Sequence, residues 1–181
     1  MINSYYDHEQ MIDIFADNAR QFDLSHYDHF IFSYHGLPQR QLRKGDHCGN
    51  YCLKAQDCCQ SMSKANQFCY SAQCFATTQA LVRKLGLQEG QYSTSFQSRL
   101  GPEQWAAPYT IDIIKAQAEK KAKRLLVFSP AFVSDCLETT IEIGFEYQEE
   151  FEEMGGEHID LVPSLNDDPR WISLVADLVR A

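Results

Sequence analysis

The 181-residue sequence predicts one α/β domain built on a central four-stranded parallel sheet flanked by helices. Three observations carry that expectation. Short runs rich in aromatic and β-branched residues alternate with helix-periodic segments of ten or more residues, the separation that a parallel crossover needs. Gly and Pro punctuate the ends of several segments, at Gly36, Pro38, Gly86 and Pro130. Clusters of reactive side chains then fall just after three of the strand-like runs, where parallel sheets collect their ligands. These are Ser33-Tyr34-His35, Gln97-Ser98-Arg99 and Asp135-Cys136-Leu137-Glu138.

The elements follow in order. Residues 11–22 have helical spacing, with Ile12, Phe15, Ala16 and Ala19 on one side. Residues 29–34, HFIFSY, read as a buried strand stopped by His35-Gly36-Leu37-Pro38. A helix over 72–85 ends at Gly86, and a second strand over 92–97 leads into the loop SRLGPEQW. A helix over 111–122 precedes the most strand-like run, RLLVFS at 124–129, which Pro130 ends. One long helix is expected over 137–154, a fourth strand over 159–162, and a closing helix over 169–180 with Pro169 in its first turn. No repeat, low-complexity tract or linker divides the chain. The domain is therefore expected to span 1–181, with a cysteine-rich insert at about 45–75.

Composition removes several classes. The chain has 16 Lys and Arg against 25 Asp and Glu, a net charge of −9, which argues against a nucleic-acid binder with its basic patch. No segment approaches the apolar run of about 18 residues that a spanning helix requires. The opening MINSYYDHEQ lacks the basic start and apolar run of a secretory signal, so a reducing, cytoplasmic setting is expected.

Six of the seven cysteines lie between Cys48 and Cys74. A disulfide scaffold would spread its pairs through a shorter chain, whereas a tight cluster brings several thiolates to one soft-metal centre. The segment contains no C-x-x-C, which weakens a zinc-ribbon reading. Cys136, alone in the acidic segment, reads as a small buried residue.

A second chemistry is carried by His35 and the carboxylates. Residues 135–157 hold eight Glu, one Asp and no Lys or Arg. Glu138, Glu142 and Glu146 are four apart and share one helix face, where like charges repel by a few tenths of a kcal/mol per pair. Such a row is either a solvated face or a ladder of hard-cation ligands leading into a cleft. Glu138 stands at a strand mouth, where water could be excluded. His35 follows a buried strand at a turning backbone, placed to take protons near neutrality or to bind a divalent cation. Trp105 and Phe132, on the loops after the second and third strands, read as core anchors or as walls for a large flat substrate.

Together the segments FSYHGLPQR, FQSRLGPEQW and SPAFVSDCLET with its acidic helix strongly resemble the carboxyl-terminal half of ferrochelatase, from about residue 30 to 181. The resemblance implies a Rossmann-like, chelatase-type half and a lyase that inserts ferrous iron into protoporphyrin IX to make protoheme. It implies that His35 and Glu138 are catalytic and that His35, Glu138, Glu142, Glu146 and Asp135 meet the metal. It implies a π-type widening in the acidic helix, and a porphyrin pocket lined by Trp105 and Phe132, with Tyr34 and Ser98 beside them.

The cysteine segment resembles a bacterial subclass whose internal insert holds a [2Fe–2S] cluster, and zinc is the alternative. The expected ligands are Cys52, Cys59, Cys69 and Cys74. Cys58 is the substitute, since adjacent thiols usually point apart. A complete ferrochelatase is about twice this size, so the implied partners are an amino-terminal half or a second copy, with room for peripheral membrane contact. The rival readings are a non-catalytic iron–sulfur half-module and a chelatase for another metal or tetrapyrrole.

Overall fold

The structure, a computed structural model, describes residues 4–55 and 57–180. Four parallel strands, β1 (His29–His35), β2 (Tyr92–Gln97), β3 (Arg124–Phe128) and β4 (His158–Leu161), lie in the order β2-β1-β3-β4. This is the sheet that the sequence predicts.

Period-two alternation divides the strand residues between two faces. Phe30, Phe32 and Tyr34 of β1, Phe96 of β2 and Leu126 and Phe128 of β3 point to one face. There they pack against α1 (Glu9–Ala19), α3 (Tyr70–Leu85) and α7 (Pro169–Arg180) through residues such as Phe15, Leu81 and Trp171. Ile31, Leu125, Val127 and Ile159 point the other way, onto α4 (Thr110–Glu119) and α6 (Gln148–Glu153). Phe32 and Phe128 stack with ring centroids 4.6 Å apart. Each such fully buried side chain contributes about 1.5–3 kcal/mol.

The topology places a site before any side chain is considered. The chain leaves β1 toward β2 through α3 on the first face. It leaves β3 toward β4 through α5 (Leu137–Thr140), a π-helical segment (Glu142–Tyr147) and α6 on the second. β1 and β3 are neighbours whose connections run in opposite directions, so the crevice at their carboxyl ends is the switch point where α/β sheets bind ligands. His35 ends β1 at that crevice.

Most expected elements appear with their ends unmoved or shifted by no more than three residues. The expected helix over 137–154 is the exception: it is interrupted by the π-helical segment, in which Glu146 N–H donates to Ile141 C=O at 2.9 Å. The wider turn brings residues five apart together, and the Tyr147 hydroxyl donates to Glu142 at 2.8 Å. A regular helix would not face those two side chains. The π-type widening implied by the resemblance is therefore present.

One buried titratable group sets an acid limit on the fold. His29 is 4% exposed, pairs through Nε2 with Ser93 Oγ at 2.9 Å, and has its pKa pulled from 6.5 to about 4 by burial, with Lys120 adding to the shift. The unfolded chain binds that proton near pH 6.5 while the folded chain resists it. Stability is thus full above about pH 6.5 and falls by up to about 3 kcal/mol as pH drops toward 4. Urea midpoints from pH 7 to 4 should show this loss, and His29→Gln should flatten it.

Candidate active site

His35 is half-buried, and its backbone pairs with Gln97 of β2. Its Nδ1 lies 2.6 Å from the Gly36 carbonyl oxygen. A carbonyl only accepts, so Nδ1 carries the proton of the neutral ring and Nε2 keeps its lone pair. Gly36 is required by close approach: a Cβ there would stand 3.0 Å from Gln97 O and 3.2 Å from Cε3 of Trp105. The loop carrying Trp105 is held by Ala106 N–H donating to Leu37 O at 2.8 Å and Gln39 N–H donating to Gln104 O at 2.9 Å. The rings of Trp105 and Phe132 come to 6.3 and 6.0 Å from the imidazole. Trp105 Nε1–H is buried with no partner among the described residues.

Glu138 lies in the first turn of α5, and its carboxyl is held below the usual range. The Cys136 thiol donating to it is the main cause, and its own backbone N–H adds. Cys136 is thus not a buried filler; it is half-exposed, caps α5 and donates to Glu138. Glu138 is exposed rather than set in a dry mouth, because α5 begins at the rim of the crevice.

Beneath the two glutamates runs a buried polar chain. Gln97, 2% exposed, accepts from Ser33 Oγ at 2.7 Å and donates through Nε2 to Glu138 C=O at 2.6 Å and to the Glu142 carboxylate at 3.2 Å. Ser33 Oγ meets Thr110 Oγ1 at 2.7 Å, which meets Ser95 Oγ at 3.0 Å. One amide therefore links the ends of β1 and β2 to the start of the acidic helix. Such fully satisfied buried networks fix geometry more firmly than their separate bonds imply.

The remaining expected site residues have structural employment. Glu142 accepts from Ser98 N–H at 2.8 Å and Ser98 Oγ at 2.7 Å, besides Tyr147 and Gln97, so it tethers the π-helical segment instead of standing free in a ladder. Ser98, expected beside the substrate, directs its N–H and hydroxyl to that carboxylate. Asp135 accepts from Asn166 Nδ2 at 2.7 Å and from Ser164 N–H and Thr139 Oγ1, both at 3.3 Å, tying the β3 loop to the β4 loop. Tyr34 is 2% exposed with its hydroxyl 2.9 Å from Thr78 Oγ1; it joins the core and also lines the cleft beside His35. Glu146 is exposed. Among the described residues, no three His, Cys, Asp or Glu side chains are arranged to hold a metal ion.

A cleft of about 390 Å³ opens beside His35, walled by Tyr5, Tyr6, Tyr70, Cys74 and Val133 among others. Its size suits a small molecule. Trp105 and Phe132 flank the imidazole but are not among the walls of this cleft.

The cysteine segment folds as turns braced by two polar side chains. Asp46 accepts from the N–H groups of Cys48, Gly49, Tyr51 and Cys52, all within 3.1 Å. Asn66, 3% exposed, donates to the carbonyls of Cys58 and Ser61 at 2.9 and 2.8 Å. Cys52, Cys58, Cys59 and Cys69 all border one small cavity of about 10 Å³. Sγ of Cys59 lies 3.6 Å from that of Cys58 and 4.0 Å from that of Cys69. Sulfurs bound to one tetrahedral metal at about 2.3 Å stand about 3.8 Å apart, a spacing that these two pairs approach without forming, among the described residues, a group of three side chains able to hold a metal ion.

Two expectations change here. The adjacent thiols of Cys58 and Cys59 converge, because Asn66 holds the Cys58 carbonyl in a tight turn. Cys74 lies elsewhere, 4% exposed beside Tyr70 in the wall of the His35 cleft, with its pKa pushed up chiefly by burial. Cys69 precedes the first turn of α3, and the Cys59 thiol beside it, 4.0 Å away, is the main cause that lowers its pKa.

The Ferrochelatase family model matches residues 1–181. The chain belongs to the ferrochelatase family. It is 45% identical over 172 residues to a ferrochelatase of Pseudomonas fluorescens strain SBW25, covering 94% of this chain and 50% of the relative. It is 44% identical over 179 residues to that of strain Pf0-1, covering 98% and 52%. A ferrochelatase of Azotobacter vinelandii strain DJ is 43% identical over 181 residues, covering 99% of this chain and 54% of the relative. The chain spans about half the length of the curated relatives it matches.

Within this ferrochelatase-family chain, sequence reasoning overlooked Gln97, Cys136 and Asn66 as organising residues. Gln97 carried a readable signal: a polar residue ending a strand beside the one that ends in His35.

Proposed function

We propose that this chain is the carboxyl-terminal half of a ferrochelatase, supplying His35 and Glu138 to a site that inserts ferrous iron into protoporphyrin IX to form protoheme. One observation carries the reading. At the sheet's switch point, Gln97 joins the residue whose imidazole has a free Nε2 to the one whose carboxyl is held below its usual range: it pairs with His35 across the sheet and donates to the Glu138 carbonyl. Insertion must remove two pyrrole protons and deliver a cation. Nε2 of His35 accepts the protons in turn, and Glu138 offers a charged oxygen to the incoming iron. Trp105 and Phe132 present flat apolar faces beside the imidazole against which a macrocycle can lie. Bending that ring toward its transition-state shape would lower the barrier further.

Glu138 stands exposed at the rim, which supports a second wall completing the site: an amino-terminal half or the partner of a homodimer. We place the protein in the cytoplasm with peripheral membrane contact. No described helix is long and apolar enough to cross a membrane. Iron insertion should be measured with the chain alone and with an amino-terminal half added. Insertion in either arrangement supports the reading, activity confined to the second makes the chain a dependent half, and none in any arrangement defeats it.

Cys52, Cys58, Cys59 and Cys69, which border one cavity, match in number the thiols that a [2Fe–2S] cluster requires and would be its ligands. Such a cluster would supply a redox-sensitive staple in a segment with little apolar core. Anaerobically purified protein should be brown-red with broad visible absorption. Colourless protein with stoichiometric zinc would replace the cluster by a single tetrahedral ion on the same thiols.

A further inference from the structure

One cation at the rim of the crevice is not used by the fold. Arg99 lies on the loop that joins β2 to α4, two residues beyond Gln97, which pairs with His35 across the sheet. Two residues of chain span at most about 7 Å, so the Arg99 backbone stays at the same end of the sheet as the imidazole. The side chain is exposed, and its Cζ sits over the Tyr109 ring, 4.9 Å from the centroid. Among the described residues, carboxylates bind Arg20, Arg40, Arg124, Arg170 and Arg180 but not Arg99. The carboxylate on its own loop, Glu103, is taken at 2.9 Å by Arg40 of the short helix α2 (Gln39–Leu42).

The backbone before Arg99 is held in an unfavourable conformation. Ser98 has φ +62°, in the left-handed region that residues with a Cβ rarely adopt. Its N–H and hydroxyl both donate to the Glu142 carboxylate, at 2.8 and 2.7 Å, and keep it there. The turn brings the chain out of the sheet, leaving Arg99 and Leu100 exposed. At the far end of the same loop stands Trp105, its ring 6.3 Å from the imidazole. One loop therefore carries an apolar wall and an uncommitted cation. Tyr109 occupies one face of the guanidinium, whereas the N–H groups lie in its plane and remain able to bind an acceptor at its edge.

We propose that Arg99 binds a propionate carboxylate of the porphyrin and so sets which edge of the macrocycle faces the loop after β2. The proposal rests on the ferrochelatase reading of the crevice. Protoporphyrin IX carries its two propionates on one edge of the ring and only apolar groups elsewhere. Glu138 and Glu146, exposed on the acidic helix, repel those carboxylates. A guanidinium receives a carboxylate through two parallel N–H bonds, which fix direction as well as adding affinity. With Trp105 against the ring and Arg99 at its charged edge, rotation of the macrocycle in its own plane is restricted.

The test compares Arg99→Gln and Arg99→Lys with the wild type, each with any second wall that the wild type needs. The probes are protoporphyrin IX and its dimethyl ester, which keeps the ring and removes the charges; binding is read from porphyrin fluorescence. Arg99→Gln should weaken binding of the diacid about fivefold and leave binding of the diester unchanged. Arg99→Lys should restore part of that loss, since it keeps the charge without the fork. High salt should shrink the difference between Arg99→Gln and wild type. In iron insertion, the KM for the diacid should rise by the same factor with kcat unchanged, because the contact is made away from the reacting nitrogens.

Wild-type affinity of Arg99→Gln for the diacid overturns the proposal, as does an equal loss for the diester. Normal iron insertion with an unchanged KM in Arg99→Gln leaves the ferrochelatase reading standing and removes Arg99 from it. A preference for the diacid that depends on Arg99, in a protein that inserts no iron in any arrangement, upholds the carboxylate contact and defeats the ferrochelatase reading. Absence of porphyrin binding in every arrangement defeats both.

Discussion

His35→Ala should lower iron insertion by about a hundredfold or more, the range that loss of a positioned acid–base group produces. No neighbouring side chain can replace it. Trp105 and Phe132 are apolar at the faces they present, and Glu138 already carries the charge needed for the metal. The substitution should leave the fold largely intact, because the ring is half-buried at the sheet rim and its Nδ1 partner is the adjacent Gly36 carbonyl. Unfolding midpoints within about 1 kcal/mol of wild type would therefore accompany the loss of rate. Near-normal insertion would remove the histidine from the chemistry.

Gln97→Leu should be damaging in a different way. The side-chain volumes are similar, but the buried amide makes three bonds that Leu cannot replace. Ser33 Oγ loses its acceptor, and Glu138 C=O loses a donor at 2.6 Å. Leaving buried polar groups unmatched costs about 1–3 kcal/mol each, so a destabilisation of about 2–4 kcal/mol is expected in urea unfolding. Because the acidic helix starts from that carbonyl, insertion should also fall about tenfold through kcat. A variant with wild-type stability and rate would show that the polar chain under the glutamates is decorative.

The sheet was legible because each strand obeys a local rule. HFIFSY announces a strand buried on both faces, and Gly36 and Pro38 mark its end. The same period-two rule places Tyr34 on the face of Phe30 and Phe32, where its side chain joins the core and also lines the cleft beside His35.

What residue spacing alone could not convey were features decided by distant partners. The π-helical segment is braced by Ser98 and Tyr147 meeting Glu142, a contact spanning 44 residues in the case of Ser98. Four-residue spacing therefore gave no sign of the partners that Glu142 meets. Similarly, Cys58 and Cys59 converge because Asn66 grips the loop from several residues away. Cys74 appeared equivalent to the other thiols until α3 was seen to begin at Tyr70, which carries it to the opposite cleft.

A crystal structure of the protein with protoporphyrin bound, and with its second wall in place, would probe the central claim most directly. The macrocycle should lie between Nε2 of His35 and the Glu138 carboxylate, its face against Trp105 or Phe132. A porphyrin seated away from those two groups, or one whose ring nitrogens neither side chain can approach, would contradict the account.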